Sequence, residues 1–271
     1  MSKRSCSRHG VTRSPFWSSA GSLLAACAGA VLLLAACGGG ATPDPYAYSA
    51  RPLAVHDDGA VMASKAVSVH TLSFAGANGS RIGAVLIVPR APGRHAAVLF
   101  LHGSGGSRQS LLVPAAELAN RGAVTMTISQ PNEAATFRPL VVNARRALDL
   151  LSTRDDVDPK RLGVVGYSLG AQTAAILAGD EPRLQAVGIV AGRGAPVPLY
   201  WIARTHAQLY FQAGTLDQVV PQQQLAGLIR AAPGHPRVSW YPLDHRMSVE
   251  SFDDQVAWQA RVLGVSEMVD P

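Results

Sequence analysis

Leu162-Gly163-Val164-Val165-Gly166-Tyr167-Ser168-Leu169-Gly170-Ala171-Gln172-Thr173-Ala174 is the stretch on which the fold is read. Residues 162–165 are apolar or small, as a strand buried on both faces must be. From Gln172 to Ala178 small and apolar residues dominate, and a helix is predicted there. Between strand and helix, Ser168 sits on a turn so sharp that the residues two before and two after it must be small. Gly166 and Gly170 meet that demand. Such a turn holds a serine hydroxyl out above a sheet edge in strained backbone geometry, where it can act as a nucleophile. In a chain with 26 glycines the five-residue pattern is weak by itself, and the strand–turn–helix setting gives it weight.

The same alternation extends in both directions. The continuous apolar run 96–101 predicts a central strand. Further strands are predicted at 67–74, 82–88, 123–128, 186–190, 208–212 and 238–241, with helices at 111–120, 140–151, 171–178, 222–231 and 249–263. Asn78-Gly79 is a hairpin signal, so the first two strands should form an antiparallel edge. About eight strands with helices between most of the later ones predict the α/β class: a mostly parallel sheet with helices on both faces. Arg145 and Arg146 are expected to point outward, and Asp180 and Glu181 to lie on the surface after a helix. Residues 192–205, where a cap would insert, are few, so only a minimal cap is expected.

A serine hydroxyl needs a base, the base needs an orienting carboxylate, and the oxyanion of a tetrahedral intermediate needs two aimed donors. Three histidines follow Ser168. His206 and His235 precede predicted strands and belong at the far edge of the sheet. His245 follows the predicted strand 238–241 and so reaches the C-terminal edge, where the serine sits. Asp217, in Gly214-Thr215-Leu216-Asp217, also follows a strand and is the candidate acid, with Asp244 beside His245 as its rival. Leu101-His102-Gly103-Ser104-Gly105-Gly106 is a glycine-rich turn after a strand. Its Ser104 N–H, with Gly105 as the alternative, should form the oxyanion hole together with Leu169 N–H. His102 precedes that turn and is read as a residue that holds loop backbone. Tyr167, Tyr200 and Trp201 are candidate walls of the substrate pocket. Neither a phosphate-binding loop nor a thiolate metal site is expected. The turn lacks the Gly-Lys-Ser/Thr ending of a phosphate-binding loop, and no cysteine occurs beyond Cys37 to supply a thiolate.

Taken together, His102–Gly106, Asp158-Pro159-Lys160-Arg161-Leu162 through Gly170, Gly214–Asp217 with Val220-Pro221, and His245 are far more specific than any one of them. Over residues 67–265 the chain resembles α/β hydrolases of the dienelactone hydrolase-like and prolyl-oligopeptidase-like kind. The resemblance implies a cofactor-free serine hydrolase that cleaves an ester, thioester or amide through an acyl-enzyme. A carboxylic ester of small or moderate size is the leading expectation. A peptidase, a thioesterase or a non-catalytic lipid-anchored binding protein of the same fold are the alternatives. One departure stands out: dienelactone hydrolases proper carry a cysteine where this chain has Ser168.

The 271 residues are 48% hydrophobic and 15% charged, as in a globular enzyme, and carry a net charge of +6. That charge is largely an N-terminal feature. Four of the 24 basic residues fall in the first 13 positions, where no acid occurs, which leaves 20 against 18 acids beyond. No Lys/Arg cluster lies inside the domain, so nucleic acid is not an expected partner. The basic start, the apolar residues 16–36 and the small residues that end them read as a signal peptide over 1–36. Leu34-Ala35-Ala36-Cys37 resembles the lipobox of bacterial lipoproteins, in which the cysteine thiol accepts the lipid and becomes the mature N-terminus. An uncleaved anchor, a plain cleavage near Ala36, and a second lipobox-like string ending at Cys27 are the other readings. The expected organisation is a signal peptide at 1–36, a lipidated Cys37 with a flexible linker to 66, and one hydrolase domain at 67–271. The expected location is the bacterial cell envelope, with a lipid tether and the domain facing periplasm or exterior.

Overall fold

The continuous apolar runs become the middle of a sheet. The computed structural model describes residues 44–132 and 135–265. In chain order the elements are β1 (His56–Ala63), β2 (Val67–Ala75), β3 (Arg81–Pro89), β4 (His95–Leu101), α1 (Leu112–Asn120), β5 (Val124–Ile128), α2 (Arg138–Ser152), β6 (Val157–Tyr167), α3 (Leu169–Asp180), β7 (Leu184–Val190), α4 (Pro196–Ile202), β8 (Gln208–Gly214), α5 (Gln222–Ala231), β9 (Arg237–Tyr241) and α6 (Val249–Val262). The nine strands form one sheet in the order β1-β2-β3-β5-β4-β6-β7-β8-β9. Pairing is antiparallel from β1 through β3 to β5, and parallel from β5 to β9. The predicted α/β class, the mostly parallel sheet and its antiparallel N-terminal edge are what the structure has.

Alternation along the strands feeds two cores. On β4, Leu99 and Leu101 face the core made with α2, α3, α4 and α5, whereas Val98 and Phe100 face the core made with α1 and α6. Both faces are therefore covered, as a parallel sheet requires. All the parallel strands point their C-terminal ends to one edge, which is where the loops after β4, β6, β8 and β9 meet.

The region before residue 67 differs from its reading as a linker. The signal segment 1–36 and Cys37 lie outside the described residues, but from Asp44 onward the chain is built into the domain. β1 is a ninth strand, exposed on both faces and with its register to β2 broken twice between Asp57 and Met62. An edge strand with no buried face has no reason to alternate, which is why its sequence carries no strand signal. Upstream, residues 44–53 form a strap along α2. Tyr46 is buried, Arg138 donates to the carbonyls of Pro45 and Ala47, and Arg146 donates to those of Arg51, Pro52 and Ala75.

That strap explains two further departures. Arg146, expected to point outward, is only 4% exposed because the strap lies over it. Arg145 bonds the Asp44 carboxylate at 2.8 Å and approaches Asp180 at 3.4 Å. Asp180 and Glu181, expected on the surface, have buried side chains, and Glu181 is gripped by Arg183. Burial raises the Asp180 carboxyl to about 6, against the opposing pull of Arg145. The other element not foreseen is the seven-residue α4, inside the short stretch where a cap would insert.

Candidate active site

Ser168 joins β6 to α3 with φ 54° and ψ −110°, a left-handed conformation that a non-glycine residue adopts only at a cost of about 1–3 kcal/mol. Neighbours hold it there. Its N–H donates to Val190 O of β7 at 2.9 Å, and its carbonyl accepts from Ala171 N–H at 3.0 Å and Gln172 N–H at 3.2 Å. The flanking glycines are required by close approach. A Cβ on Gly166 would stand 2.1 Å from Gly170 O, and one on Gly170 would stand 2.1 Å from Leu101 O. The second contact also lets the start of α3 press against the end of β4, beside the glycine-rich turn.

The loop after β8 supplies Asp217, whose side chain is fully buried. One oxygen, Oδ1, accepts from Val219 N–H and Val220 N–H, both at 2.8 Å. The other, Oδ2, lies 2.8 Å from His245 Nδ1, and His245 Nε2 lies 3.0 Å from Ser168 Oγ. A carboxylate at Nδ1 fixes the tautomer with the proton on that nitrogen and leaves Nε2 to accept the serine proton. Asp244, the rival acid, instead accepts from the N–H of Arg246 at 2.8 Å and is exposed. His206 and His235 precede β8 and β9, at the opposite edge, where their positions in the chain put them.

The loop that carries His245 is tied on two sides. Thr215 N–H donates to Tyr241 O at 2.7 Å, and Leu216 N–H to Leu243 O at 3.0 Å, which docks it on the Asp217 loop. On the other side the Tyr167 hydroxyl donates to His245 O at 2.8 Å. The Tyr167 ring lies 5.4 Å from the imidazole and 6.3 Å from Phe252 of α6. Burial, with Asp217 and Asp244 nearby, pushes the Tyr167 phenol above its ordinary range, so it stays protonated and a donor.

The glycine-rich turn is locked from below. His102 is buried, its Nδ1 lies 2.7 Å from Gly103 O, and its Nε2 accepts from Gln130 N–H at 2.9 Å. Burial keeps this imidazole below its ordinary pKa, hence neutral, as an acceptor at Nε2 requires. Gly106 N–H closes the turn on Gly103 O at 3.1 Å. Among the described residues no group accepts from Ser104 N–H or Leu169 N–H, so both remain available. Ser104 and Gly105 line a cleft of about 260 Å³ together with Tyr167, Arg246 and Phe252.

Two of the expected pocket walls are elsewhere. The Trp201 backbone packs against Gly179 of α3, and its ring meets Tyr46 of the strap at 5.7 Å. Gly179 is eleven residues past Ser168, about 16 Å along the helix axis. Tyr200, next in the chain, lies under the Arg204 guanidinium at 3.6 Å. Of the three aromatic candidates only Tyr167 lines the cleft. Arg246 and Phe252 take the other places. Arg246 directly follows His245 in sequence, and that adjacency was the available signal. Among the described residues no group of His, Cys, Asp and Glu is arranged to hold a metal ion.

Residues 115–260 match the dienelactone hydrolase family. A thiohydrolase of Arthrinium phaeospermum, apmlB, is 39% identical over 72 residues, which is 27% of this chain and 23% of that protein. The chain spans less than a third of the length of the curated relatives it matches. Among solved structures, an acetyl xylan esterase from Paenibacillus sp. R4 superposes with a TM-score of 0.68 at 17% identity, covering 78% of this chain and 90% of that one. Acetyl xylan esterase 1 from Thermoanaerobacterium sp. JW/SL YS485 gives 0.63 at 16%, covering 79% and 88%. At those identities the likeness is one of fold. The family match takes in more than half of the chain, including Ser168, Asp217 and His245: the chain belongs to the dienelactone hydrolase family.

Proposed function

We propose that this protein is a serine hydrolase that cleaves carboxylic esters of small or moderate size through an acyl-enzyme on Ser168. The observation that carries the reading is the unbroken relay from Ser168 Oγ to His245 Nε2 at 3.0 Å and from His245 Nδ1 to Asp217 Oδ2 at 2.8 Å. Ser168 Oγ attacks the ester carbonyl while Nε2 takes its proton. Asp217 holds the imidazole in place and stabilises its cation. The N–H groups of Leu169 and Ser104 receive the oxyanion, each such donor being worth about a hundredfold to a thousandfold in kcat. The imidazolium then protonates the leaving alkoxide. Water, activated by the same base, attacks the acyl-enzyme, and Ser168 is regenerated.

Two features support a modest substrate. The cleft beside the glycine-rich turn measures about 260 Å³, and the stretch where a cap would insert holds nothing larger than α4. The names of the acetyl esterases that share the fold are in keeping with a short acyl group. Arg246 on the cleft wall favours an acid that carries a negative charge. Similarity to a thiohydrolase makes a thioester the second substrate class to test. We further read Cys37 as the acceptor of a lipid tether in a cell envelope, on the strength of Leu34-Ala35-Ala36-Cys37 and the Gly- and Pro-rich residues after it.

Ser168→Ala should abolish both turnover of short p-nitrophenyl esters and labelling by a fluorophosphonate, while the wild-type chain reacts in stoichiometric amount. Undiminished activity or labelling in the variant overturns the assignment. For the tether, Cys37→Ala should eliminate incorporation of a labelled fatty acid, and undiminished label rejects that reading.

A further inference from the structure

Most arginines of this fold are engaged within it. Arg145, Arg154, Arg161 and Arg183 each face a carboxylate within 3.0 Å, and Arg138 and Arg146 donate to main-chain carbonyls. Arg237 and Arg261 differ. Neither guanidinium makes a hydrogen bond or ion pair with a described residue, and the same holds for the His206 and His235 imidazoles. All four line a single cleft of about 490 Å³, together with Thr205 and the Trp258 indole, and no carboxylate lines it.

The cleft is remote from Ser168. Gln208 opens β8 and Arg237 opens β9, and the two strands run parallel, so the cleft lies at the N-terminal edge of the sheet. The reacting groups lie at the C-terminal edge. The cations are also positioned. The Arg237 guanidinium lies over the Tyr210 ring, 4.6 Å from its centroid, which fixes a long side chain that would otherwise be mobile. His235 is carried on Pro233-Gly234-His235-Pro236, where two prolines restrict the backbone. Beyond the N-terminal segment the chain has 20 basic and 18 acidic residues, so a concavity with four cation-capable side chains and no acid is a local departure from balance.

A walled concavity of one charge sign focuses its field on an anion. The donor set selects among anions. Two guanidinium forks and two imidazoles offer more N–H groups than the two oxygens of a carboxylate accept. The three terminal oxygens of a phosphoryl group match them, and guanidinium binds such a group bidentately. We propose that this cleft is a second, non-catalytic site that binds a phosphate-bearing ligand, with Arg237 and Arg261 on the phosphoryl oxygens, His206 and His235 donating from the rim, and Trp258 as the floor. The phosphate can belong to a soluble phosphomonoester or to the headgroup of an anionic phospholipid, and the experiment separates the two.

The full chain is titrated calorimetrically with inorganic phosphate, and its binding to phosphatidylglycerol vesicles is compared with binding to phosphatidylcholine vesicles. The same is done for Arg237→Gln and Arg261→Gln. The site predicts saturable binding in at least one arm, weakened by about tenfold or more in each variant through loss of a bidentate contact. Hydrolysis of short esters by both variants should equal that of the wild type. Phosphate binding with no preference for the anionic vesicle assigns a soluble ligand. Preference for the anionic vesicle without phosphate binding assigns the headgroup. Either outcome, lost in the variants, supports the site. Arg261 is exposed on the last turn of α6, so its variant keeps the fold and tests the site even if Arg237→Gln loosens β9. Absence of binding in both arms overturns the proposal, and so does binding that Arg261→Gln leaves unchanged.

Discussion

Tyr167→Phe removes one hydroxyl and keeps a ring. The atom lost is the donor that reaches His245 O at 2.8 Å, while the ring contacts with the imidazole and Phe252 remain. A neutral hydrogen bond of this kind contributes about 1 kcal/mol. If all of it goes to stability, the melting temperature falls by about 2–4 °C in a domain of this size. If the same energy serves to hold the imidazole between Asp217 and Ser168, kcat falls by about fivefold. The KM should barely move, because the cleft wall keeps its shape. Burial and two nearby carboxylates keep the phenol protonated, so the loss should be equal on the acid and alkaline sides of the pH profile. Steady-state kinetics on a short p-nitrophenyl ester, with a thermal melt of the same preparation, reads all three quantities. An unchanged kcat would refute the idea that this carbonyl anchor holds the base. A loss beyond about a hundredfold would refute it in the other direction, because the hydroxyl would then take part in the chemistry itself.

Three further outcomes follow from the same contacts. Asp217→Asn should lower kcat by on the order of ten-thousandfold, whereas Asp244→Asn should leave it within about twofold, and the pair of rate measurements decides which carboxylate orients the base. Arg246→Ala should raise KM by about tenfold for an ester whose acyl group bears a carboxylate and leave a neutral ester unaffected, which competition kinetics between the two will show. The raised Asp180 carboxyl, at about 6 against an ordinary 3.8, binds its proton more tightly in the folded chain than in the unfolded one. Its contribution to stability is therefore present below pH 3.8 and is lost as pH rises to about 6. Asp180→Asn should melt higher than the wild type at neutral pH, with the difference closing in acid. A wild type that melts higher than the variant at neutral pH would reverse that sign.

The site was legible because its demands are local. A nucleophile on a strained turn needs Gly166 and Gly170 whatever the rest of the chain does, and strands that end at one edge put Asp217 and His245 there by order alone. What was not legible depends on segments distant in sequence folding onto one another. Arg146 and Asp180 sit at positions that look solvated until the strap at 44–53 lies over α2, and Glu181 does so until Arg183 folds back onto it. Tyr200 and Trp201 follow the right strand, but α4 carries them down the length of α3 to Tyr46. β1 has no buried face, so nothing in its side chains marks it as a strand.

That inconspicuous strand decides how the sheet ends. β2 pairs with β3 in unbroken register over nine residues, and among the described residues its other side is covered only by β1. β1 itself is a poor template for another chain, since its ladder is interrupted twice and His56, Asp57 and Asp58 crowd its start. A chain shortened to begin at Val67, the boundary that the sequence suggests, would uncover the regular edge of β2 and invite self-association through backbone pairing. The residues that resemble a mere spacer are the ones that occupy the pairing edge of β2.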